Sequence, residues 1–105
     1  MRILFDHNTP LPLRRYLLEH IVDIANEKGW SELINGDLPD SAEEEGYEIL
    51  ITADQSMSYQ QNLARRHIAV VVLLSNRWPD IRTKIDDIRA ALDEVRQGEV
   101  REIPI

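Results

Sequence analysis

Two aspartates, each placed directly after a short run of apolar residues, are the side chains in this sequence best suited to chemistry. Asp6 follows Arg2–Phe5, and Asp54 follows Glu48–Ala53. Short, almost wholly apolar runs are typical of strands that are buried on both faces of a parallel sheet. Such sheets bind their ligands beyond the carboxyl ends of the strands, where the strand order reverses. We therefore expect both carboxylates at one edge of a sheet, as a site for a divalent cation.

The chemistry of this expected site is that of a hard metal ion. If the two strands are neighbours, their ends lie ~5 Å apart, and both carboxylates reach one ion. Oxygen ligands at ~2.0–2.6 Å are those that Mg²⁺ and Mn²⁺ prefer. Asp37, at a predicted helix start above the same edge, is the candidate for a third acid. A simpler interpretation stays open, since aspartates after strands also cap helices and turns.

Apolar periodicity predicts alternating strands and helices. Strands are predicted at Arg2–Phe5, Ile21–Ile24, Glu48–Thr52, Ile68–Leu74 and Val100–Ile105. Helices are predicted from Leu11 to Leu18, from Asp37 or Asp40 to Glu45, from Ser56 or Ser58 to Arg66, and from Pro79 to Gln97. Strands that alternate with helices imply right-handed crossovers. The predicted fold is a single α/β domain over residues 1–105, a three-layer α/β/α sandwich with a mostly parallel sheet of four or five strands.

Composition narrows the class of protein. The chain of 105 residues is 43% hydrophobic and 30% charged, as in globular domains. It has no cysteine, which excludes disulfides and thiolate chemistry and favours a cytoplasmic setting. No apolar stretch is long enough to cross a membrane, so no membrane association is expected. The net charge of −7 argues against a broad electrostatic attraction to nucleic acid, which places function in a local site.

Two segments resemble a known family. Residues Ile3-Leu4-Phe5-Asp6-His7-Asn8, followed by a leucine-rich helix, look like the start of small bacterial PIN-like domains, relatives of toxin ribonucleases. The segment from Gly46 to Asp54, which contains Thr52-Ala53-Asp54, is similar to their second metal-binding motif. The resemblance spans nearly the whole chain and is closest to the minimal PIN-like group (DUF5615). That family commonly has glutamate where this chain has His7.

The resemblance implies metal-dependent hydrolysis of phosphodiester bonds in RNA, with one or two Mg²⁺ or Mn²⁺ ions. It assigns Asp6 and Asp54 to the metal centre, and by a looser match Asp37, as the catalytic acids. Asn8, Thr52 and His7 are expected to support these carboxylates. Two arginine pairs are candidates for contact with RNA, although such pairs usually lie on solvated helix faces: Arg14, Arg15, Arg65 and Arg66.

The resemblance also implies partners. A PIN-like toxin would pair with a small antitoxin protein, which for an acidic toxin would be basic. A homodimer is expected through apolar residues of the last third of the chain, unless these close the domain's own core: Leu92, Val95, Val100 and Ile103. The alternative function is a catalytically inactive PIN-like binding module, which His7 and the acidic net charge both favour.

Overall fold

Five parallel strands form one sheet in the part of the chain that the structure describes. The computed structural model describes residues 1–30, 37–55 and 67–105. Its strands are β1 (Arg2–Phe5), β2 (Ile21–Ile24), β3 (Ile49–Thr52), β4 (Ala69–Leu73) and β5 (Val100–Ile103), in the spatial order β2-β1-β3-β4-β5. All neighbouring pairs are parallel. The α/β class with a parallel sheet, predicted from the sequence, is confirmed.

The strand order reverses between β1 and β3. From β1 the chain moves outward to β2, then returns across β1 to β3 and continues to β5. Phe5 pairs with Ile51, and the backbone N–H of Asp6 donates a hydrogen bond to the carbonyl of Ile51 at 3.2 Å. The strands that lead to Asp6 and Asp54 are thus neighbours, the arrangement in which the two carboxylates were expected to share one ion. Asp6 therefore emerges beside the end of β3, at the edge where parallel sheets bind ligands.

Helical segments cover both faces of the sheet. The described residues contain the α-helices α1 (Asp37–Glu44), α2 (Trp78–Ile81) and α3 (Ile85–Glu94), and the 3₁₀ helices Leu11–Tyr16, Ala25–Lys28 and Arg82–Lys84. The helix predicted between Ser56 and Arg66 lies outside the described residues.

The alternating side chains of the strands divide the core into two clusters. On one face, Ile3, Phe5 and Val71 pack in a cluster with residues of the first 3₁₀ helix, α2 and α3, among them Leu13, Ile81, Ile88 and Leu92. On the other face, Leu4, Leu50 and Val70 pack with residues of α1 and its C-terminal turn, among them Leu38, Ala42 and Tyr47. Burial on both faces explains why β1, β3 and β4 read as nearly continuous apolar runs.

Helix α1 ends in a tight turn that is anchored to the start of β1. The N–H of Tyr47 donates to the carbonyl of Ala42, the N–H of Gly46 donates to that of Glu43, and Gly46 has a φ of +88°. This is a Schellman motif, which explains the predicted stop at Gly46. Arg2 donates from Nη1 to the carbonyl of Glu45 at 2.5 Å, so the C-terminal end of α1 lies at the amino edge of the sheet.

The phenol of Tyr47 joins this turn to β2. Tyr47 is buried and donates a hydrogen bond to Oδ2 of Asp23 at 2.5 Å. The guanidinium carbon of Arg2 lies 4.5 Å from the centre of its ring. Burial, assisted by the hydrogen bond to Asp23, raises the pKa of Tyr47 above its ordinary value.

Two predicted helices differ from the observed ones. The leucine-rich segment is a 3₁₀ helix, in which the N–H of Leu13 donates to the carbonyl of Pro10 and the N–H of Leu17 donates to that of Arg14. The long predicted helix is divided into α2, a 3₁₀ turn and α3. The hydroxyl of Thr83 donates to the carbonyl of Asp80 at 2.7 Å, which competes with regular helical bonding at the division.

The last third of the chain uses its apolar residues internally. Leu92 and Ile103 are buried, while Val95 and Val100 are half-buried. Large exposed apolar side chains among the described residues lie elsewhere, at Met1, Leu11, Tyr16, Leu18 and Ile21. None of the described helices has both the length and the apolarity needed to cross a membrane.

Candidate functional site

Asp6 is a buried carboxylate at the point where the strand order reverses. Its residue surface is 4% exposed. Its Oδ1 accepts hydrogen bonds from the backbone N–H of Asn8 at 3.0 Å and from the hydroxyl of Thr9 at 2.9 Å. Its Oδ2 accepts a hydrogen bond from the hydroxyl of Thr52. A buried carboxylate needs such donors, because an unpaired buried charge costs several kcal/mol or more.

Thr52 connects the two predicted site aspartates. It is fully buried at the end of β3, where its hydroxyl donates to Asp6 and accepts a hydrogen bond from the backbone N–H of Asp54 at 3.0 Å. The Thr52 hydroxyl therefore donates its proton to the Asp6 carboxylate, and its oxygen accepts the hydrogen bond that fixes the backbone at Asp54. This arrangement couples the orientation of the two loops.

Thr9 is a buried member of this network that sequence reasoning placed differently. The segment His7-Asn8-Thr9-Pro10 has the composition of a turn with a capping residue before a helix, but the capping position is Pro10, and no side chain caps that helix. The Thr9 hydroxyl instead lies 2.9 Å from Asp6 Oδ1 and 2.8 Å from the carbonyl oxygen of Ile51. The hydroxyl has one proton and therefore donates to one of these two acceptors at a time. The bond to Ile51 connects the loop after β1 with β3. The sequence feature that indicates this turn is an aspartate followed three residues later by a threonine, Asp6 and Thr9.

The other two predicted acids approach the same edge through their backbone positions. Asp54 lies two residues beyond the end of β3 and is partly buried. Asp37 is the first residue of α1, whose opposite end contacts Arg2 at the amino edge of the sheet. A helix that starts after a parallel strand and returns toward the amino edge begins at the carboxyl edge. The backbone of Asp37 therefore lies on the site's side of the sheet, whereas its side chain is outside the described residues.

The donor set at Asp6 fits a metal ion that takes a single oxygen from this carboxylate. An ionised carboxylate has about four acceptor positions. Two hydrogen bonds to Oδ1 and one to Oδ2 leave one position on Oδ2. Within residues 1–30, 37–55 and 67–105, however, no three acidic or histidine side chains are grouped closely enough to hold a metal ion.

A small pocket opens beside Asp6, at the carboxyl ends of β1 and β2. Its volume is about 250 Å³, and it is lined by the end of β2 and by the segments that follow β1 and β2: Asp6, His7, Thr9, Leu11, Ile24, Asn26 and Glu27. Glu27 was not predicted as a site residue, because nothing in its local sequence sets it apart. A larger cavity of about 390 Å³ lies at the opposite, amino edge of the sheet, against Gly46, Glu48 and His67.

The remaining predicted residues divide between this edge and other parts of the chain. His7 is exposed and also lines the pocket beside Asp6, and Asn8 contributes its backbone N–H to the site. Arg14 and Arg15 are exposed, and Nη1 of Arg14 lies 3.4 Å from Oε1 of Glu27. Arg65 and Arg66 lie outside the described residues.

Comparisons with protein-family models, with curated proteins and with solved structures found no match to this chain.

Proposed function

We propose that this protein is a metal-dependent nuclease that hydrolyses phosphodiester bonds in RNA at the carboxyl edge of its sheet. The observation that carries the proposal is the hydrogen-bond chain from Asp54 N–H through Thr52 to Asp6, at the point where strand order reverses. Such a position is where parallel α/β sheets bind ligands. The resemblance to PIN-like toxin ribonucleases supports the same activity.

In this proposal the protein supplies oriented carboxylates. Asp6 offers one oxygen position to Mg²⁺ or Mn²⁺, with Asp54 and Asp37 as the further acids. The bound metal supplies positive charge that activates a water molecule and stabilises the charge developing on the phosphate. Thr9 and Thr52 hold the Asp6 carboxylate in one orientation, so little reorganisation is needed when substrate arrives. RNA is the proposed substrate, and a small basic antitoxin is the proposed partner of the acidic chain.

A second candidate function is a PIN-like binding module without catalytic activity. It is favoured by the three hydrogen bonds that Asp6 receives from Asn8, Thr9 and Thr52. These bonds give the buried carboxylate a complete structural role, since it closes the turn after β1 and ties that turn to β3. A metal ion is not required for this role.

Cleavage and metal binding, measured together, distinguish the two functions. We would incubate wild type, Asp6→Asn and Asp54→Asn with single-stranded and structured RNA, in Mn²⁺ or in EDTA. Each protein would also be melted with and without Mn²⁺, because a ligand of the folded state raises the melting temperature. Asp93→Asn is the matched control, since Asp93 is exposed on α3 and loses the same charge.

The nuclease proposal expects cleavage by wild type and Asp93→Asn in Mn²⁺ but not in EDTA. Both site variants should lose cleavage and the Mn²⁺-induced rise in melting temperature together. Asp54→Asn keeps the experiment decisive if Asp6→Asn does not fold, because Asp54 is less buried than Asp6. Identical melting of wild type with and without metal, together with no cleavage of either RNA, supports the binding module and rejects the nuclease.

A further inference from the structure

The pocket beside Asp6 has the size and lining of a subsite for one ring system. Its volume of about 250 Å³ is below the ~300–1,000 Å³ of pockets that enclose drug-sized ligands. Leu11 and Ile24 contribute apolar surface, and Leu11 is 58% exposed at the rim. Asn26 and Glu27 contribute polar groups that lie next to this apolar surface. Such a combination suits a flat, largely apolar ring with hydrogen-bonding groups along one side.

We propose that this pocket binds an unpaired guanine base of single-stranded RNA, next to the phosphate that the proposed nuclease cleaves. The inference rests on the proposed function, because it places the base beside Asp6. Sequence-specific proteins read RNA mainly through unstacked bases, by contact with their faces and hydrogen bonds to their edges. A base held in a duplex has its Watson–Crick edge occupied and cannot present it to Glu27.

The carboxylate of Glu27 decides which base fits. An ionised carboxylate only accepts hydrogen bonds. Guanine presents two adjacent donors, N1–H and the N2 amino group, along its Watson–Crick edge. Uracil presents one N–H donor flanked by two carbonyl oxygens, which repel the carboxylate. Adenine and cytosine each offer an amino group beside a ring acceptor and should rank between the two.

Glu27 also contacts Arg14. Its Nη1 lies 3.4 Å from Oε1 of Glu27, and the side chains are 45% and 62% exposed respectively. Arg14 belongs to the 3₁₀ helix that follows β1, so the contact joins that helix to the segment after β2. Because both groups are largely solvated, the ion pair is weak and leaves the carboxylate available to a ligand. Glu27 is thus a specificity-determining residue and takes no part in the cleavage chemistry.

The test compares the binding of guanosine 5′-monophosphate and uridine 5′-monophosphate in EDTA. The two nucleotides carry the same phosphate, so the repulsion from the acidic chain is equal and the difference reports on the base. Methyl NMR signals of Leu11 and Ile24 would follow the titration and locate it in the pocket. Wild type should bind the guanine nucleotide about ten-fold more tightly, the discrimination typical of one well-placed base contact.

Glu27→Gln should reduce this ratio to near one. Glu44→Gln, which changes an exposed glutamate at the end of α1, should keep the wild-type ratio. Equal affinity of wild type for both nucleotides, absence of binding at millimolar concentration, or an unchanged ratio in Glu27→Gln each overturns the subsite. Because the titration needs neither metal nor cleavage, selective binding without RNA cleavage rejects the nuclease and retains the subsite. RNA cleavage by a protein that binds both nucleotides with equal affinity rejects the subsite and retains the nuclease.

Discussion

The substitution Thr52→Val tests whether the hydrogen bonds at the sheet edge hold Asp6 in place. Valine has nearly the same shape as threonine and suits a strand, so the change removes a hydroxyl without opening a cavity. That hydroxyl donates to the Asp6 carboxylate and accepts from the N–H of Asp54. A hydrogen bond to a charged group contributes about 1.5–3 kcal/mol, and a neutral one about 0.5–1.5 kcal/mol. We expect Thr52→Val to lower the free energy of unfolding by about 2–4 kcal/mol.

Urea unfolding of four proteins measures this effect and its origin. The set is wild type, Thr52→Val, Asp6→Asn and the double variant, with equal m-values as the condition for comparison. In the Asp6→Asn background the lost hydrogen bond has no charged acceptor, so Thr52→Val should cost less there. We expect an interaction energy of about 1–2 kcal/mol between the two positions.

An exposed threonine supplies the matched control. The hydroxyl of Thr83 donates to the carbonyl of Asp80 at 2.7 Å, on the solvated surface between α2 and α3. Thr83→Val should change the free energy of unfolding by less than about 0.5 kcal/mol. The Thr52 hydroxyl does not hold Asp6 in place if Thr52→Val costs no more than Thr83→Val, or if the effects of Thr52→Val and Asp6→Asn are simply additive.

Three other positions carry predictions. Gly46→Ala should lower the free energy of unfolding by more than ~1 kcal/mol, because a Cβ at its φ of +88° is strained and would lie 2.9 Å from Nη1 of Arg2. Gly29→Ala, at a φ of +77° with open space around it, should cost less in the same urea assay. The raised pKa of Tyr47 predicts lower stability in alkali. Above pH ~10 the unfolded chain loses the phenol proton before the folded protein does, so the free energy of unfolding falls. Unfolding measured across this range should show a smaller decline in Tyr47→Phe, and an equal decline would contradict the assignment.

Much of the fold follows from local patterns in the sequence. Ile3-Leu4-Phe5 and Ile49-Leu50-Ile51 are apolar on both faces, which requires central positions in a parallel sheet and predicts that their ends meet. A glycine after a run of acidic residues predicts the end of α1, because only glycine adopts the left-handed turn without strain. The central strands and the end of α1 depend on residues that are neighbours in the sequence, and the structure contains both as predicted.

Other features depend on contacts between distant residues, which periodicity does not record. The apolar spacing from Ile81 to Val95 predicts one continuous helix, and the buried positions agree with it although the backbone is divided. This division is local, with the Thr83 hydroxyl bonded to the carbonyl of Asp80 three residues away, and apolar spacing does not record it either. In the site, Thr9 joins a residue 42 positions away, at Ile51, instead of capping the adjacent helix. Glu27 reaches the pocket only because β2 pairs with β1.

Strand β5 protects the rest of the sheet from self-association. Its neighbour β4, Ala69–Leu73, consists of five consecutive buried apolar residues without charge, proline or glycine, a composition that favours amyloid-like stacking when exposed. On β5, Arg101 forms ion pairs with Glu94 and Glu99 at 3.1 and 2.7 Å, so the outer edge of the sheet carries charge. A chain cleaved before Val100 would expose the hydrogen-bonding edge of β4. Proteolysis at this point should therefore turn a folded domain into an aggregation-prone one.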